Sequence, residues 1–145
     1  MYSIGHVSKM FALPISTLRY YDKEGLFPNL KREGNIRKFS DAELEEIRVI
    51  ECLKKSGLEI KDIKQFFEWS SQGSSTYENR KKMFELRKSA VEEEIHALEK
   101  TLAMLEFKCW YYEKAMADEN EDGIKDMLPD KLPAKIQALY DKAHE

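Results

Sequence analysis

Val91, Ile95, Leu98, Leu102, Leu105, Cys109 and Tyr112 follow one another at alternating spacings of four and three residues. An apolar stripe with that 3.5-residue period is the seam of a coiled coil, narrower than the face a helix turns toward an ordinary core. Stepping back by sevens from Val91 reaches Phe84 and Tyr77, but the alternate positions hold Lys81 and Lys88, so the seam is clean only in its second half. Ser75-Thr76-Tyr77-Glu78 has the form of a capping box at the head of this helix. From Tyr77 to Tyr112 it would run about 54 Å. Nothing else in the 145 residues is large enough to cover the stripe, so a homodimer is expected. The spacing leaves open whether the paired helices run parallel or antiparallel.

The chain ahead of that helix is built from shorter pieces. Ile15, Leu18 and Tyr21 fall at i, i+3 and i+6 between Pro14 and Gly25, which turns them to one side of a helix. Ser16, Thr17, Arg19 and Tyr20 are left facing out, and Gly25 reads as a left-handed cap. Hydroxyls, a guanidinium and a phenol all donate hydrogen bonds, the chemistry that meets phosphates and base edges. Ser3 caps a preceding short helix carrying Ile4, Val7, Met10 and Phe11, and a tight turn joins the two in helix-turn-helix order.

Residues 26–39 read as a short hairpin around Glu33-Gly34-Asn35, with cations on both arms. Another capping box, Ser40-Asp41-Ala42-Glu43, opens a helix that carries Leu44, Ile47, Ile50 and Leu53 and stops at Gly57. Ile60, Ile63, Phe66 and Phe67 mark a further helix, and residues 70–74 have the composition of a linker. Beyond the stripe, residues 118–123 form an acidic break. Pro129 and Pro133 then bracket a turn, and Ile136, Leu139, Tyr140 and Ala143 mark a last short helix. That tail is too short for a domain of its own and is expected to dock on the coiled coil or on the partner subunit.

The net charge of −3 hides an asymmetry. Residues 1–39 hold seven Lys/Arg against three Asp/Glu, which leaves them at +4 and the remainder at −7. A basic end on an acidic chain suits phosphate binding, with the acidic part held away from the polyanion. No apolar run approaches the roughly 20 residues of a membrane span and no signal-peptide layout opens the chain, so a cytoplasmic protein with no membrane partner is expected. Cys52 and Cys109 read as free thiols.

Three segments carry a resemblance. Ser3-Ile4-Gly5-His6-Val7, then residues 17–26 (Thr-Leu-Arg-Tyr-Tyr-Asp-Lys-Glu-Gly-Leu), then Ile36-Arg37-Lys38-Phe39-Ser40, resemble the MerR family of bacterial transcriptional regulators. The resemblance implies a mainly α chain. Residues 1–70 would form a winged helix-turn-helix domain, 75–117 a dimerisation helix pairing antiparallel with its mate, and 118–145 a short helical tail. It further implies a near-palindromic operator in an overlong promoter spacer, distorted by the activated dimer so that RNA polymerase engages both promoter elements. Arg19 and Tyr20 match the family's recognition-helix backbone contacts, Ser16 and Thr17 the neighbouring positions, and Arg37, with Lys31 and Lys38, the wing.

Three departures stand out. Ala12 occupies the usual turn Gly, where a left-handed backbone costs about 1 kcal/mol; Pro14 takes the usual Ser/Thr cap; Asn35 replaces the usual wing Gly.

What is sensed is less legible. On the helix from Asp41 to Ser56, Cys52 lies nearly opposite the apolar face, with Arg48 at i−4 and Lys55 at i+3. Two cations beside a thiol favour thiolate, and the surrounding Cys-Leu-Lys-Lys-Ser-Gly-Leu resembles the aldehyde- and thiol-stress-responsive branch of the family (NmlR/AdhR-like). The competing reading is a small residue packed against the dimer helix. Cys109, in the seam, reads as a small buried apolar residue. Phe107, Trp110, Tyr111 and Tyr112 either pack against the tail and the partner or line a small pocket for a small-molecule effector. His6, His96 and His144 lack ligand spacing, so no metal and no cofactor are expected. No nucleophile–base pair or phosphate loop points to an enzyme. The alternative to a DNA-binding regulator is a coiled-coil interaction module of adaptor or anti-sigma type.

Overall fold

The computed structural model describes residues 1–145, and its first helix, α1 (Ile4–Phe11), opens on Ser3, whose side chain accepts from the His6 N–H at 3.1 Å. Ala12 ends α1 in the left-handed region, at φ 53°. A reciprocal clasp holds that turn: the Leu13 N–H donates to the Ser8 carbonyl at 3.0 Å, and the Ser8 hydroxyl donates back to the Leu13 carbonyl. Helix α2 (Ile15–Lys23) follows Pro14, which supplies no side-chain cap but has an extended ψ that leads into the first turn. Gly25, at φ +81°, closes α2, with the Leu26 N–H returning to the Tyr21 carbonyl at 3.0 Å.

Strands β1 (Lys31–Glu33) and β2 (Ile36–Lys38) pair antiparallel, with Lys31 opposite Lys38 and Arg32 opposite Arg37. The left-handed residue of their turn is Gly34, not Asn35, so the Asn carries no backbone strain. Phe39 then bridges to Tyr2 through hydrogen bonds of 2.7 and 2.9 Å and is fully buried. This fastens the hairpin's exit to the chain's beginning.

Helix α3 (Asp41–Lys55) has the expected capping box: the Ser40 N–H donates to Glu43 Oε1 at 3.3 Å and the Ser40 hydroxyl to Oε2 at 2.9 Å. Helix α4 (Ile60–Ser71) packs against it through Ile63. Val7, Leu18, Tyr21, Leu26, Phe39, Ile47, Ile50 and Ile63 form one buried cluster. Ile15 and Met10 depart from expectation and stay exposed. Each lies at the end of its helix that borders the interhelical turn, where the stripe runs past the edge of the core.

The expected linker is ordered, and the box at Ser75 does not form. Residues Gly73–Thr76 make a 3-10 turn that runs straight into α5 (Tyr77–Asp118). Thr76 is buried and turns its hydroxyl back to the Trp69 carbonyl at 2.5 Å instead of capping α5, and Arg80 donates to that hydroxyl at 3.2 Å. At 42 residues, α5 is about 63 Å long.

Contacts divide the chain into two compact units, Met1–Lys88 and Ser89–Glu145. In the first, Phe84 of α5 packs edge-on against Phe66 at 5.5 Å, so one residue of the weak half of the seam is engaged by α4. Arg87 donates to the Ser56 carbonyl beside Gly57, whose φ is +93°.

In the second unit, α6 (Asp122–Met127) and α7 (Ala134–Ala143) fold back along α5. Only the second of these helices was visible in the sequence pattern. Phe107 meets Tyr140 edge-on at 5.3 Å, Tyr111 donates to Glu121 Oε1 at 2.6 Å, and Lys142 reaches Glu99 at 3.8 Å. Ala103, Phe107, Ile124 and Leu132 are buried there. Ile95, Leu98, Leu102, Leu105, Cys109 and Tyr112 remain exposed, Leu98 by 68 %. Cys109 is therefore not buried within the protomer. The tail covers a different face of α5.

Candidate nucleic-acid interface

Leu18 and Tyr21 decide how α2 is presented. Both are buried, and the Tyr21 hydroxyl donates to Glu51 Oε1 at 2.7 Å and accepts from Lys54 Nζ at 2.7 Å, both on α3. Burial, and then the hydrogen bond to Glu51, push the Tyr21 phenol far above its ordinary range, so it stays protonated and donating. With that face anchored, Ser16, Arg19 and Tyr20 are exposed and Thr17 is half-buried on the outer side.

The hairpin stands beside this helix through one carboxylate. Asp22 is nearly covered, accepts from Arg37 Nε at 2.8 Å and pairs with Arg32 as well. Arg32 and Arg37 lie directly across the ladder from each other, where like charges repel; the Asp22 oxygen between them removes that repulsion. Arg37 is thus partly committed to holding the hairpin, while Lys31 is exposed and Lys38 half-buried. Asp22 and Arg32 were missed as site residues. A turn read as Glu33-Gly34-Asn35 hides the pairing; with Glu33 opposite Ile36 the turn is Gly34-Asn35, and the two arginines that then face each other call for an acid.

The remaining sequence candidates do not gather into one place. Cys52 is exposed on α3 rather than packed. Its expected neighbour Arg48 pairs with Glu45 and lies over the Phe11 ring at 5.8 Å, directed toward the start of α3 and away from the thiol. Lys55 is exposed. Trp110 and Tyr111 are half-buried around Phe107 and the tail, and Tyr112 is exposed. Phe107 meets Tyr140 between α5 and α7, and Trp110 and Tyr111 pack against Phe107.

A paired helix and hairpin presenting cations and hydroxyls on one side is the geometry of a winged helix-turn-helix reader. Residues 2–68 match the family described as MerR HTH family regulatory protein. An uncharacterized HTH-type transcriptional regulator of Haemophilus influenzae is 39% identical over 118 residues, covering 80% of this chain and 87% of that protein. The chain belongs to the MerR family.

Among solved structures, this MerR regulator is similar to HiNmlR, a MerR family regulator lacking the sensor domain, bound to promoter DNA. The match has a TM-score of 0.66 and 36% identity, over 84% of this chain and 98% of that one. A MerR family regulator from Bacillus thuringiensis is 42% identical with a TM-score of 0.60, over 74% of this chain and 96% of that one. AdhR of Bacillus subtilis is 35% identical over 80 residues, which is 54% of this chain and 57% of AdhR. No helix of this MerR regulator is long and apolar enough to cross a membrane.

Proposed function

We propose that this MerR-type transcriptional regulator acts as a homodimer in the cytoplasm, binding a near-palindromic operator within an overlong promoter spacer and activating RNA polymerase by distorting the DNA. In this reading residues 1–70 hold the duplex, 75–117 pair with a second copy in antiparallel, and 118–145 support the pairing helix. Ser16, Thr17, Arg19 and Tyr20 meet the major groove and its phosphates, and Lys31, Arg37 and Lys38, joined by Arg32, grip the backbone beside it. The observation that carries the reading is the uncovered stripe on α5. Ile95, Leu98, Leu102, Leu105 and Tyr112 are each half or more exposed on one chain, a patch that isolated soluble proteins rarely leave open.

A dimer held by that stripe presents two heads to one duplex. Distorting a 20–30 bp site costs on the order of 1–6 kcal/mol, which phosphate contacts at both ends can supply. For the effector, Cys52 is accessible to an electrophile, and the resemblance of its surroundings to the aldehyde- and thiol-stress-responsive branch directs the reading toward aldehydes and quinones. Sedimentation at micromolar concentration, followed by footprinting on the promoter beside its own gene, tests the whole. A dimer protecting two symmetric half-sites is expected. A strictly monomeric species, or no salt-dependent duplex binding, sinks the reading.

A further inference from the structure

Helix α5 gives its first turns to its own head. Arg80, Phe84 and Arg87 recur at i, i+4 and i+7, so they share one face of α5. Arg80 donates to the Gly73 carbonyl at 2.8 Å, Phe84 meets Phe66 of α4, and Arg87 Nε donates to the carbonyl of Ser56, in the turn between α3 and α4. Lys81 and Lys88 interrupt the dimer seam over the same turns, where the helix is held by the head.

The tie at Arg87 is a fitted one. Ser56 caps α3; the Gly57 N–H returns to the Lys54 carbonyl at 2.9 Å, and the Leu58 N–H and the Ser56 hydroxyl return to the Leu53 carbonyl at 3.2 and 2.6 Å. The carbonyl of Ser56 itself, at the negative end of α3, is left to receive the guanidinium. Gly57, at φ +93°, has a second reason to be glycine. A Cβ there would stand 2.5–2.8 Å from Nη2, Cζ and Nε of Arg87, too close for any side chain. The guanidinium therefore lies flat on the backbone at Gly57. A planar fork seated in this way resists both sliding and rotation, which a point charge does not.

We propose that Arg87 is a positioning residue, which by clamping the α3–α4 turn sets the angle at which the reading head stands on α5, and with it the separation of half-sites that the protein accepts. The inference rests on the homodimer reading given above: with two heads on one duplex, that angle decides which pair of half-sites both can reach. The Phe66–Phe84 contact holds α4 and α5 together, but apolar attraction is non-directional. Arg87 supplies the direction. Adding or removing one base pair between half-sites displaces one of them by about 3.4 Å and turns it by about 35° around the duplex. A clamped head does not follow that change, and a loosened one does.

The test uses the full chain and three duplexes: the site footprinted on the promoter beside its own gene, and versions with one base pair inserted or removed between the half-sites. Fluorescence anisotropy measures the affinity of the wild type, Arg87→Ala and Arg87→Lys for each. The lysine keeps the charge and the stem but has no plane to seat on Gly57. The wild type should lose at least about tenfold in affinity at either altered spacing, and both variants less than about threefold. A merely structural role would weaken binding to all three duplexes by the same factor and keep the wild-type preference, and that outcome overturns the proposal. A wild type indifferent to spacing overturns it too. Absence of a symmetric two-part footprint with the wild type sinks the homodimer reading and this inference with it, a failure visible before either variant is made. Arg87→Lys decides the matter if Arg87→Ala does not fold.

Discussion

Asp22 Oδ2 accepts a hydrogen bond from Arg37 Nε at 2.8 Å and so ties the wing of the reading head to its recognition helix. The same carboxylate pairs with Arg32, the residue facing Arg37 across the ladder. Helix and wing are thereby one rigid piece.

Asp22→Asn separates positioning from charge. It makes the head more positive, which by simple attraction tightens DNA binding, yet it loosens the wing by removing a nearly buried partner of two cations. Operator affinity is expected to fall about tenfold, near the lower end of the cost of leaving a buried charge pair unmatched. Fluorescence anisotropy reads it; equal or tighter binding would show that the wing does not depend on this tie.

Arg19, exposed on α2, is expected to hold phosphate. Arg19→Ala should weaken binding to all duplexes alike and reduce the slope of log affinity against log salt by about 1. Loss confined to a single base position contradicts that role.

Leu102→Glu introduces a charge into the exposed α5 stripe without touching the tail's contacts with Phe107 and Ala103. Sedimentation should give a folded monomer at concentrations where the wild type is paired, with operator binding lost alongside. A variant that still sediments as the wild type would locate the pairing face elsewhere.

Cys52→Ser should leave operator binding intact and abolish induction by aldehydes or quinones. An unchanged response discards the thiol as the sensing group, a result that the turned-away Arg48 already makes easy to interpret.

Glu46 makes stability pH-dependent in a defined direction. Burial first, and then the charge of Glu43, raise its carboxyl from 4.5 to about 7 in the folded chain, so between those values the native state holds the proton more firmly than the unfolded state, and stability falls as pH rises. The penalty is complete above about pH 7 and absent below about pH 4.5. Glu46→Gln should therefore stabilise the protein by about 1–2 kcal/mol at pH 8, after allowing for solvent screening, and by much less at pH 5. Melting curves at the two pH values check it; a pH-independent difference refutes the assignment.

The sequence was most readable where local rules sufficed. Leu18 and Tyr21 were legible as core from spacing alone, Gly25 and Ser40 as caps, and the 3.5-residue period as one long helix. Reading failed where a residue's role depends on a distant partner. Asp22 was not singled out, because its meaning requires the hairpin register and the direction of α2 together. Ser75-Thr76-Tyr77-Glu78 fitted a capping box, but Thr76 is turned to the Trp69 carbonyl by the preceding 3-10 turn. Arg48 was assigned to Cys52 by helical spacing, yet Glu45 on its other side and the Phe11 ring compete for it. Spacing names the neighbours and does not rank them. Glu46 Oε2, shut off from solvent without a hydrogen-bond partner, had no sequence signal at all.

Ala12 has one more consequence. A left-handed alanine costs about 1 kcal/mol relative to glycine, and the Ser8–Leu13 clasp holds the chain in that conformation. Ala12→Gly would therefore gain local comfort and lose stiffness, since glycine opens backbone excursions that a methyl group forbids. A joint of this kind keeps the angle between its two arms constant from one encounter to the next, and fidelity of aim is secured at the expense of ease.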